Sequence, residues 1–228
     1  MGYWVNTTYI NHGDVAAVSE ALTAIFHKEG MIAIPPPAQR AARAGEPMQY
    51  DRAMNNDLWG VAVFPGAESW TVIQTAPLEL LAEQSPTTSQ MRLADLCVAL
   101  SASAIQLNVY DSTGNVLVEV SPAGRIAISG FNMEGDAEDP FEWNGQRLSE
   151  DLLEAQFQLH PFQHLIEDAM LGDDKAEALR QAFGGANARY CDNIVSVKTL
   201  IRHEPFDAPG GSALYFKWQG PSRQRARK

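Results

Sequence analysis

LWGVAVFPGAESWTVIQTAP, residues 58–77, is the stretch that decides how this chain is read. Trp59, Val61 and Val63 alternate with Leu58, Gly60, Ala62 and Phe64; Trp70, Val72 and Gln74 alternate with Thr71, Ile73 and Thr75. Period-two alternation on either side of Pro65-Gly66 is the pattern of a β-hairpin. Proline presets φ and glycine admits φ > 0, so Pro65 and Gly66 are expected at the two central positions of a type II turn. Both strands carry apolar residues on both faces, which puts the hairpin inside a sheet rather than at its edge. Trp59 and Trp70 are therefore read as core and not as a binding platform, since tryptophan mainly contributes buried area.

The same alternation recurs in residues 104–130. Ile105, Leu107 and Val109 form one strand, DSTGN turns the chain, Val116, Val118 and Val120 form the next, and SPAG leads into RIAISGF. This is the pattern of a three-stranded antiparallel meander. Near the C-terminus, NIVSVKTLI (193–201) and SALYFKW (212–218) read as a strand pair joined by the loop HEPFDAPGG. YWVNTTYI (3–10) and MIAI (31–34) complete the strands, the second stopped by Pro35-Pro36-Pro37. Helical spacing appears at Val15, Val18, Leu22, Ile25 and Phe26, with Asp14 as its cap and Gly30 as its end. It appears again over 78–84, 89–102, 148–159, 161–172 and 174–184.

The expected fold class is α+β: mainly antiparallel sheet from the 58–77 hairpin, the 104–130 meander and the C-terminal strand pair, with helices packed on one side. One domain is expected over 1–220, divisible into sub-lobes at about 1–130 and 148–220. Residues 35–57 read as a long loop, and 221–228, PSRQRARK, as a disordered basic tail.

The formal net charge is −11. The tail holds Arg223, Arg225, Arg227 and Lys228 and no acid, so residues 1–220 carry 13 basic against 28 acidic residues. Such a surface repels nucleic acid and anionic membrane and attracts basic proteins. Cys97 and Cys191 are the only cysteines, and Cys97 lies in the apolar stripe of LADLCVAL. Two such thiols are not a disulfide framework and suit a reducing cytoplasm. The N-terminal MGYWVNTTYI lacks the charged and apolar regions of a signal peptide, and no apolar run approaches the roughly 20 residues that span a bilayer. The phosphate-binding, dinucleotide, zinc-protease and serine-hydrolase motifs are not found, and no cofactor is expected.

Two constellations remain. FNMEGDAEDPFEWNGQR (131–147) sets Glu134, Asp136, Glu138, Asp139 and Glu142 around Phe141 and Trp143, the composition of a protein-binding patch with aromatic anchors in an acidic rim. LHPFQHLIED places His160, His164 and Glu167 at helical spacings of four and three, where two imidazoles and a carboxylate could hold a metal. The preferred reading is a non-catalytic, cytoplasmic protein-binding module with an acidic surface, of the kind that inhibits a basic partner as immunity proteins do. The alternatives are a metal-dependent hydrolase using His160, His164 and Glu167, and a structural subunit of an oligomer.

Overall fold

A computed structural model describes residues 4–39, 57–110, 114–131, 141–143, 146–148 and 172–220. The strands are β1 (Trp4–Ile10), β2 (Met31–Ile34), β3 (Leu58–Pro65), β4 (Thr71–Ala76), β5 (Ala104–Tyr110), β6 (Gly114–Val120), β7 (Ile126–Phe131), β8 (Phe141–Trp143), β9 (Gln146–Leu148) and β10 (Ser212–Trp218). The helices are α1 (Val15–Lys28), α2 (Arg92–Leu100), α3 (Gly172–Phe183) and α4 (Asn193–Arg202), with a 3-10 helix over Gly185–Cys191. Eight strands form one antiparallel sheet in the order β2-β10-β3-β4-β1-β5-β6-β7, and β8 pairs with β9 separately. The fold is α+β, as the strand and helix patterning indicates.

The β3–β4 hairpin is interior, third and fourth in the order. Alternation sends its apolar side chains to opposite faces. Trp59, Val61, Val63 and Ile73 join Val18, Leu22, Ile25 and Phe26 of α1 and Leu93, Leu96 and Cys97 of α2. Ala62, Phe64, Trp70 and Val72 join Leu179 and Phe183 of α3, Tyr190, and Val197, Leu200 and Ile201 of α4. Trp59 meets the Phe26 ring edge-on at 5.1 Å, and Trp70 packs against Phe183 at 4.4 Å. Both indoles are thus core, at 4% and 7% exposure, but in two different cores. Helices therefore cover both faces of the sheet, not one. A strand apolar on both faces needs a layer on each side.

Two further expectations are corrected. Residues 193–201 are helix, so the C-terminal strand pair does not form; β10 instead inserts between β2 and β3. The buried positions Ser196, Val197, Leu200 and Ile201 have helical spacing, which outweighs the β-branched composition once the segment packs on the sheet. Residues 78–82 are turns rather than helix, and Gln84 forms an isolated antiparallel bridge with Met91. The hairpin loop also differs in detail. Gly66 N–H donates to Trp70 O at 2.8 Å, Trp70 N–H to Ala67 O at 2.9 Å, and the left-handed residue is Glu68, at φ 50°. Gly66 is needed for close approach: a Cβ there would lie 2.3 Å from Phe183 O at the end of α3.

Candidate functional site

The interior polar groups hold elements together. On the α1–α2 face, Asn6 donates to Asn108 Oδ1, and Gln106 Nε2 donates to Thr8 Oγ1 at 2.9 Å and Asn6 Oδ1 at 3.3 Å. These are cross-strand neighbours of β1 and β5, and all four residues are at most 3% exposed. On the opposite face, Thr7 Oγ1 and Gln74 Nε2 donate to the Cys191 carbonyl at 3.0 and 2.9 Å, tying the end of the 3-10 helix to the sheet.

Arg92, at the start of α2, is 3% exposed. Its Nε donates to Glu29 Oε1 at 2.9 Å and its second terminal nitrogen to Glu29 Oε2 at 2.9 Å; the other terminal nitrogen reaches Leu80 O at 2.9 Å and Glu83 Oε2 at 3.0 Å. The guanidinium also lies over Trp59, 4.9 Å from its ring centre. Burial lowers its proton affinity, but hydrogen bonds to and charges on Glu29, then Glu83, outweigh that, and the net shift is upward. Every contact of this cation is a structural one: it joins the end of α1 to the 77–92 connection and α2.

The two thiols are buried, and desolvation pushes each up to about 12. For Cys191 a hydrogen bond with Tyr9 and the charge of Arg180 act in the opposite direction without overcoming it. Desolvation thus favours the thiol over the more nucleophilic thiolate at both positions.

The sequence-derived site residues are only partly placed. Glu134, Asp136, Glu138 and Asp139, and the metal candidates His160, His164 and Glu167, lie outside the described residues. Phe141, Glu142 and Trp143 form the backbone of β8, paired with Leu148, Arg147 and Gln146 respectively. Among the described residues, no group of three or more His, Cys, Asp or Glu stands together in a metal-binding arrangement, and no helix is long and apolar enough to cross a membrane.

Among the described residues, an open groove of about 820 Å³ lies between the start of α1 and the start of β10. Gly13, Asp14, Val15, Ala16, Ser19 and Glu20 form one wall, Gly210 and Ser212 the other. A smaller depression of about 320 Å³ continues along α1 through Ser19, Glu20, Thr23, Ala24 and His27. Asp14 Oδ1 accepts from Ala16 and Ala17 N–H at 2.9 and 3.1 Å, so the helix already supplies its own anion at this terminus. The charged side chains lining the larger groove are Asp14 and Glu20, both exposed carboxylates. Sequence reading identified Asp14 as a cap and overlooked Glu20 and Ser212, because the groove unites segments about 190 residues apart in sequence.

No family model matches the chain, and neither the curated proteins nor the solved structures include a match.

Proposed function

We propose that this chain is a non-catalytic binding module that engages a basic or mixed-charge protein partner through its acidic surface, in the manner of an inhibitor that masks a basic protein. The observation that carries the reading is the α1 groove, whose charged lining is carboxylate only, in a chain of net charge −11. Exposed carboxylates along an open groove favour basic over acidic partners and speed encounter with basic ones. The acidic stretch containing Glu134, Asp136, Glu138, Asp139 and Glu142, with Phe141 and Trp143, is proposed as a second contributor to partner binding.

The test is capture of partners from the source lysate at low and high salt, followed by affinity measurement with charge-reversed variants. The captured protein is expected to be basic and to be lost as ionic strength rises, because screening acts on exposed charges. Glu20→Lys and the pair Glu138→Lys, Asp139→Lys should each weaken binding, mainly through slower association. A partner retained at high salt and indifferent to both reversals overturns the reading.

A further inference from the structure

β2 and β10 are unequal in length, and among the described residues the mismatch leaves part of a sheet edge unpaired beside the groove. β2 pairs only with Tyr215–Trp218, whereas β10 pairs with β3 from Ser212 onward. Pairing on the β2 side stops at Pro35-Pro36-Pro37, which have no N–H to offer. The chain then turns to the opposite face, where the Ala38 carbonyl lies 3.1 Å from His203 Nδ1. Ser212, Ala213 and Leu214 consequently have a strand neighbour on one side only, among the described residues.

The direction of each backbone group follows from strand alternation. Trp218 N–H donates to Asp57 O on the β3 side, while Gln219 N–H donates to Gly30 O on the β2 side. Even-numbered residues of β10 therefore turn their N–H and C=O toward β3, and odd-numbered ones toward β2. Tyr215 spends its pair on Ile34. Ala213, two residues earlier, points its N–H and C=O out of the sheet. At the covered part of this edge the corresponding outward group is already satisfied: Ala33 N–H is bonded to His27 Nε2 at 3.4 Å.

We propose that the open half of β10 receives an extended segment of the partner by β-strand addition, with hydrogen bonds to Ala213. The segment is basic, because the adjoining groove presents Asp14 and Glu20 to any side chain projecting from it on the α1 face. Gly13, Ala16, Ser19 and Gly210 are small, so they leave room for long side chains such as lysine and arginine. The inference rests on the acidic-surface reading above and adds to it a place and a mode of binding.

The experiment uses the full chain and two end-blocked octapeptides, one alternating threonine with lysine and one alternating threonine with glutamate. The Ala213 amide is followed by hydrogen exchange and NMR shift. In the free protein this amide is expected to exchange fast, and the lysine peptide should slow it by at least about tenfold, as a paired strand amide is protected. Ala213→Pro removes the donor at an edge position that tolerates proline and should abolish the interaction. Glu20→Lys leaves the backbone untouched and should weaken binding of the lysine peptide about three- to tenfold. An amide already protected in the free chain means that another part of this protein occupies the edge, and overturns the proposal. Binding of the lysine peptide without protection at Ala213 also overturns it, while the acidic-surface reading stands. Equal protection by the glutamate peptide supports strand addition but removes the charge-based reading. If neither peptide protects Ala213, strand addition is overturned, and the salt-dependent capture judges the broader reading separately.

Discussion

Arg92 shows what a single buried charge asks of its surroundings. Taking a guanidinium out of water is costly, and it is tolerated here because Glu29, Glu83 and the Leu80 carbonyl all accept from it. Arg92→Met leaves the Glu29 carboxylate buried without its cation, and a loss of about 3–5 kcal/mol is expected. The double change Arg92→Met, Glu29→Leu should recover most of that loss, which urea denaturation of the three variants measures directly. None of this was legible in the sequence: Glu29 and Arg92 are separated by 63 positions and neither sits in a motif. Glu119 makes a second residue-scale prediction. Burial raises its carboxyl from the ordinary 4.5 to about 7. A folded-state pKa above the unfolded one favours the protonated form, so the associated stability is complete below pH 4.5 and is lost as pH rises through about 7. Glu119→Gln should therefore stabilise the protein relative to the parent at pH 8 and change little at pH 4, as thermal melts at the two pH values would show.

At the scale of elements, local chemistry was legible where it acts within a few residues. α1 begins where Asp14 accepts from Ala16 and Ala17 and presents Val18, Leu22, Ile25 and Phe26 to the core, as their spacing foretells. Asp14→Ala should cost about 1 kcal/mol, read as a shift in the denaturation midpoint, with Asp14→Ser restoring most of it. The elements that eluded sequence reading are those whose local preference is divided. In α4 the β-branched residues favour strand, while the burial of Ser196, Val197, Leu200 and Ile201 has the period of a helix. The sheet surface under α4 resolves the conflict by covering one face of it. The hairpin loop is similar: proline and glycine mark the turn correctly, but Gly66 is fixed by Phe183 O, a group from a distant helix.

At the scale of the molecule, the described residues form a sheet with a core on each face, and the two cores are joined through the strands themselves. β1 illustrates this: Asn6 and Thr8 bond within one core, and Thr7 binds the Cys191 carbonyl in the other. Trp59 and Trp70 report on opposite faces. In variants that keep only one of these tryptophans, with the others changed to phenylalanine, fluorescence should give a common urea midpoint, because the strands cannot separate on one face alone. Midpoints that differ would show that the two cores open independently.

The sequence by itself determined the fold class, the interior place of the 58–77 hairpin, the 104–130 meander and the span of α1. These depend on periodicity, capping and turn chemistry, which are properties of neighbouring residues. Tertiary structure decided that helices cover both faces, that 193–202 is helical, and that β10 enters between β2 and β3. It also decided that a four-residue β2 leaves residues 212–214 with a strand neighbour on one side only among the described residues, and that Ser212 lines a groove with Asp14 and Glu20. The triple proline announces in the sequence that β2 is short. Which strand that shortness uncovers depends on pairing across about 180 residues, and long-range pairing is set by the packing of the whole sheet rather than by any local preference.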